Sequence, residues 1–276
     1  MAEPAGVVAA AMLPGMPHLL AADQAPSWAE LAGAAREVGD RLRALRPDVV
    51  LLLSTQWFTV LGHQFQCDPR VSGRHTDENW YAYDYGHLEY DLRFDVPFTE
   101  RWAGAVDARG MQARRTRYAG FPIDTGLIVA SALLDPRHEL PLAQVSCNLY
   151  AGPETLAEVG AAGARAARDA GLRAAVVVVT GLSSGLIQQW IEPREDRIAD
   201  PAHDRWNTRM LGLLTEGRTD EALALREDFA RQALADSQFR AFAFLDGAGG
   251  ACGPAHLHAY GPVWGTGGAV LSWNLT

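Results

Sequence analysis

The stretch Arg46-Pro47-Asp48-Val49-Val50-Leu51-Leu52-Leu53-Ser54-Thr55-Gln56-Trp57 decides the fold. From Asp48 to Ser54 it is an almost unbroken apolar run, the pattern of a strand covered on both faces. Upstream, Trp28, Leu31, Ala35, Val38, Leu42 and Leu45 recur on one helical face. Ser27-Trp28-Ala29-Glu30 has the capping-box form that opens such a helix, and Pro47 ends it. Further upstream, Val7 to Met12 reads as a short buried strand, broken by Pro14, Gly15 and Pro17. Strand, helix and strand in close succession predict a βαβ unit, and therefore a parallel sheet at the core.

The rest of the chain extends this pattern. Thr99 to Arg109 is a predicted helix stopped by Gly110, and Gly126 to Leu134 is another. Leu142 to Cys147 reads as a strand, and Pro153 to Asp169 as a helix with proline at its start. Ala174 to Thr180 contains four consecutive valines and reads as a central strand. Arg205 to Thr215, Asp220 to Leu225 and Asp228 to Ala235 form a helical section, and Ala269 to Trp273 is a strand after Gly265-Thr266-Gly267-Gly268. Between them, Asp68 to Val96 is an aromatic, polar excursion with short strands, suited equally to a partner surface and to core packing. No repeat, low-complexity tract or linker divides the chain. The expected architecture is α/β: one three-layer α/β/α domain over residues 1–276 with a largely parallel central sheet.

Composition narrows the function classes. A formal net charge of −9 argues against nucleic acid and anionic membranes as partners, since both need a basic surface. The three cysteines, Cys67, Cys147 and Cys252, are odd in number and far apart, which predicts neither a disulfide framework nor a zinc ribbon. The opening residues lack a basic, cleavable leader pattern, and no apolar run has the length of a membrane span. The expected location is the cytoplasm.

Five segments carry a family resemblance in their order and spacing. They are Pro14-Gly15-Met16-Pro17-His18-Leu19, Arg46 to Trp57, Gly62-His63-Gln64-Phe65, Phe121-Pro122-Ile123-Asp124-Thr125-Gly126, and Tyr260 to Gly267. Together they resemble the class III extradiol dioxygenases of the LigB type, and within that family the paired subunits of the 2-aminophenol 1,6-dioxygenases. The resemblance implies Fe(II) held facially by two histidines and one glutamate, with the ring substrate and O2 on the same metal. The histidine positions correspond here to Gly15 and Gln56. The glutamate is expected shortly before Tyr260, where Gly250 to His258 contains no carboxylate and Asp246 is the nearest. Thr125 stands where the family presents a histidine or tyrosine, and Leu182 to Ile187 lacks the acid histidine of active members. The resemblance therefore implies a non-catalytic, alpha-type subunit with no metal of its own. The Fe(II) would lie in a paralogous catalytic beta-type subunit, in a heterotetramer.

Individual residues have plainer readings. Asp124 precedes Thr-Gly at a helix start and reads first as a cap. Gln56 reads first as a space-filler that satisfies backbone groups. Glu192, Glu195 and Asp196 read as a solvated acidic loop. Two rival functions stay open. One is an active metalloenzyme with ligands relocated among His18, His63, His256 and His258, where His256 and His258 share a face if extended. The other is a metal-free protein that keeps the old cleft for an aromatic ligand.

Overall fold

In the computed structural model, residues 5–275 are described, apart from 84, 86, 119 and 122. The first half runs β1 (Gly6–Leu13), α1 (Pro26–Leu45), β2 (Val49–Thr59), β3 (His63–Gln66), β4 (Arg70–Thr76) and β5 (His87–Arg93). It continues through α2 (Val96–Asp107), β6 (Ala113–Thr116), α3 (Thr125–Leu134) and β7 (Leu142–Asn148). The second half runs α4 (Pro153–Asp169), β8 (Arg173–Val179), α5 (Pro201–Thr215), α6 (Thr219–Ala224), α7 (Arg226–Ala233) and α8 (Arg240–Gly247). Strands β9 (His256–Val263) and β10 (Thr266–Trp273) close the fold.

The main sheet has the order β6-β3-β7-β2-β8-β1-β10-β9. Strands β7, β2, β8 and β1 are parallel neighbours, the expected core. The flanks depart from it: β10 is antiparallel to β1 and to β9, and β3 is antiparallel to β7. A hairpin of β4 and β5 forms a second small sheet from the aromatic excursion.

Side-chain alternation builds the three layers. On β1, Ala9, Ala11 and Leu13 face the cluster formed with α1 and α3, while Ala10 and Met12 face the cluster formed with α2, α4 and α8. Strands β2 and β8 repeat this: Val50, Leu52, Val177 and Val179 on one side, Leu51, Leu53, Val176 and Val178 on the other. Both faces are buried, so the runs are apolar without alternation. Truncating one such residue, Leu51 for example, would cost roughly 2–5 kcal/mol.

Three local expectations are corrected. The capping box does not form: α1 starts two residues earlier, with Pro26 in its first turn and Ala25 at the cap without a side-chain bond. Proline's fixed φ suits that first position and displaces Ser27 from it. Helix α2 begins at Val96, capped by Asp95, whose carboxylate accepts from the Phe98 amide at 2.9 Å. Strand β2 does not run out at Ser54 but continues through Gln56 to Thr59.

Candidate functional site

Parallel strands end on one side of a sheet, and ligand sites in such folds lie beyond those ends. Here β1 ends at Leu13 and β8 at Val179, which pair with each other, and the pairing of β2 with β8 ends at Ser54, opposite Val179. Beyond Ser54, the register with β7 jumps from Ser54–Ser146 to Phe58–Cys147. Thr55, Gln56 and Trp57 are the extra residues of this bulge, a device that re-aims side chains beside a site. Together with Pro14 to Met16, the loop after Val179 and the 75–80 segment, the bulge surrounds a cleft of about 770 Å3. That volume is in the range of small-molecule sites.

One corner of this cleft is closed. Gln56 Nε2 donates to the Gly15 carbonyl at 3.0 Å, so the loop after β1 and the β2 bulge are bonded to each other. A Cβ on Gly15 would come within 2.6 Å of both Gly126 Cα and Val179 Cγ1. A Cβ on Gly126 would meet Ser54 Oγ at 2.7 Å. No side chain fits at residue 15 unless the backbone of α3 retreats. The reading of Gln56 as a residue that fills space and satisfies backbone holds.

The neighbouring polar groups are also committed. Asp124 caps α3: Oδ1 accepts from the Leu127 amide at 2.9 Å and from Ser54 Oγ at 2.6 Å, and Oδ2 from Gln144 Nε2 at 3.0 Å. Burial pushes its carboxyl above the usual range against these bonds. The Thr125 hydroxyl donates to Asp77, which leaves its oxygen to accept from His75 Nε2 at 3.1 Å. An iron centre of two histidines and a glutamate does not fit this corner. Residue 15 has neither a ligand atom nor room for one, and the Gln56 amide nitrogen is occupied. Among the described residues, no three His, Cys, Asp or Glu side chains converge in a metal-holding group.

Sequence reasoning missed one carboxylate that the cleft presents. Asp246, at the end of α8, does not line it; Asp236 does. Asp236 Oδ2 accepts from Thr55 Oγ1 at 2.8 Å, Thr180 Oγ1 at 3.0 Å and the Gly181 amide at 2.8 Å. Ser237, Gln238 and Phe239 follow with φ of 45°, 58° and 58°, three successive left-handed residues without a glycine. Each costs roughly 1–2 kcal/mol. The turn is pinned from both ends: Asp236 grips β2 and β8, and Arg240 donates to the carbonyls of Ser237, Asn148, Leu149 and Ala151. No glycine or proline marks this turn in the sequence, which is why it reads there as the end of a helical section.

The four histidines proposed as relocated ligands are not brought together. His63 lies on β3 and His256 and His258 on β9, with five strands between. At about 4.8 Å per strand that is on the order of 30 Å. His256 and His258 do share a face, with ring centroids 4.4 Å apart, and His258 Nε2 bonds Ser272 Oγ at 2.8 Å. His18 is fully buried, and neither ring nitrogen has a partner. It packs instead against Trp80, Tyr85, Trp28 and Trp264 at centroid distances of 4.5–5.5 Å. His18 is thus held by aromatic packing and not by a bond to backbone. Desolvation drops the His18 pKa to about 3 and the His63 pKa to about 4.

Much of the aromatic excursion thus becomes packing on one flank of the cleft, where Trp80 and Tyr83 meet Trp264 of the β9–β10 hairpin. That hairpin turns on Trp264 (φ 52°) and Gly265 (φ 90°), the two positive values a tight two-residue turn requires. Asp196 clamps it. Its Oδ2 accepts from the Trp264 amide at 2.6 Å and Trp28 Nε1 at 2.7 Å, and its Oδ1 from the Gly265 amide at 3.0 Å. Asp196 is not a solvated loop residue, whereas Glu192 and Glu195 are exposed.

The architecture is a three-layer scaffold with a cleft at its parallel strand ends. Residues 9–270 match the family model described as the catalytic LigB subunit of aromatic ring-opening dioxygenase. The chain belongs to this LigB family. It is 35% identical to the 2-aminophenol 1,6-dioxygenase alpha subunit of a Pseudomonas species, over 98% of this chain and 99% of that one. It is 28% identical to the 2-aminophenol 1,6-dioxygenase beta subunit of a Pseudomonas species, over 98% and 94%. An uncharacterized protein from Escherichia coli K12 shares the fold, with a TM-score of 0.66 at 14% identity over 96% of this chain and 99% of that one.

Proposed function

We propose that this chain is the non-catalytic, alpha-type subunit of a two-subunit dioxygenase of the 2-aminophenol 1,6-dioxygenase kind. A paralogous beta-type subunit carries the Fe(II), the substrate ring and the acid–base groups, and the pair assembles as a heterotetramer in the cytoplasm. The complex opens an aminophenol ring with O2, and this chain stabilises and shapes its partner. The observation that carries the reading is the closed corner: Gln56 bonded to the Gly15 carbonyl, with Gly126 and Val179 filling the space a ligand at residue 15 would need. The relationship to both an alpha and a beta subunit supports a partner of the same fold.

The test is made on the chain purified alone and on the complex reconstituted with the paralogue. The chain alone, purified without air, is expected to hold less than about a tenth of an iron or zinc per chain. In the complex, Gln56→Ala is expected to leave ring-opening activity within a few-fold. One metal per isolated chain, or activity abolished by Gln56→Ala with the complex intact, would overturn the reading.

A further inference from the structure

We propose that the cleft of this chain is itself a metal-free binding site for a small aromatic ligand that carries a protonated amine. This goes beyond the subunit role and holds whether or not the chain docks with a paralogue.

Three independent observations converge on that ligand class. The first is charge. Among the described residues, the cleft wall includes Asp77, Glu78, Asp124 and Asp236 against one imidazole, His75, and no arginine, in a chain whose net charge is −9. An anionic ligand would meet acids without a counter-charge, whereas an ammonium group would meet its complement. The second is an open acceptor. Asp236 Oδ2 takes three protein donors, while Oδ1 takes none from the described residues and is not among the buried orphan atoms. A charge-assisted hydrogen bond from N–H to that oxygen is the strong kind. The third is shape. Trp80 and Tyr83 line the same cleft as half-buried rings backed by the buried Trp264, and aromatic rings attract both another ring and a cation. The strained turn fits this assignment, because left-handed non-glycine residues persist where the surroundings over-determine them, and such places cluster at ligand sites.

Phenethylammonium, 2-phenylethanol and phenylacetate serve as probes at pH 7, with the full chain titrated by calorimetry and by tryptophan fluorescence. Phenethylammonium is expected to saturate, at least about tenfold tighter than the neutral alcohol, and phenylacetate to show no saturation. Asp236→Asn is expected to weaken the ammonium ligand about tenfold or more. A second variant, Leu186→Arg, places a cation at the exposed rim of the cleft and is expected to weaken it comparably. If Asp236→Asn fails to fold, Leu186→Arg decides. Absence of saturable ammonium binding, equal affinity for all three probes, or wild-type affinity in the folded variant that decides would overturn the proposal.

Discussion

The two sides of one cleft make opposite use of the same scaffold. The corner at Gly15, Gln56 and Gly126 is closed by backbone contact and an internal amide bond. The side at Asp236 keeps a carboxylate oxygen that takes no donor from the described residues, held in place by a costly left-handed turn. The first is built from the strand-end loop of β1, the β2 bulge and the start of α3; the second from the segment leading into α8. Different elements hold them, so chemistry at one can disappear while geometry at the other is retained.

The sharpest way to break this contrast is to put a histidine into the closed corner. Gly15→His is expected to cost about 3 kcal/mol or more, because its Cβ overlaps Gly126 and Val179. The loss is read from the thermal midpoint. A stable Gly15→His/Gln56→His chain that loads iron would show that the corner is not closed at all. On the other side, Asp236→Ala strands the Gly181 amide and two threonine hydroxyls, at a cost of roughly 2–3 kcal/mol. Urea unfolding measures it. An effect near zero would mean that Asp236 does not pin the turn.

Acid sharpens the comparison further, because the aromatic flank buries a histidine. The folded chain keeps His18 neutral down to about pH 3, while the unfolded chain takes up its proton near 6.5. Below pH 6.5 the unfolded state therefore binds more protons, and stability falls as pH drops toward 3. The slope reaches about 1.4 kcal/mol per pH unit for each such group. His63 adds to it between 6.5 and about 4. His18→Phe is expected to flatten this dependence, checked by denaturation at pH 4 and pH 7; an unchanged profile would remove His18 as the cause. The smallest contrast lies in the acidic loop: Asp196→Ala is expected to cost about 1–2 kcal/mol, and Glu192→Ala less than about 0.5 kcal/mol.

The central layer was legible because both its faces are buried, and the apolar runs at Val7, Val49 and Val176 announce that directly. Helices with one-face periodicity, such as α1, were legible for the same reason, although Pro26 rather than Ser27 sets its start. The antiparallel flanks were not, since β3 and β6 have four residues each and their pairing is a tertiary choice. At the site, the resemblance drew attention to Gly15 and Gln56, but the overlap that bars a side chain from residue 15 was not legible. Nor was Asp236, because the turn that presents it uses serine, glutamine and phenylalanine, none of which signals a left-handed backbone.

The position of β1 sets a schedule for the growing chain. It precedes the other strands of this sheet in the chain, yet its neighbours are β8 and β10. About 160 residues separate Leu13 from the start of β8, and β10 ends at Trp273. At roughly 5–20 residues per second, β1 waits on the order of 10–30 s on the ribosome for its first partner. Until then an alanine-rich apolar segment has no sheet to join, and that interval is when a holding chaperone would have most to do.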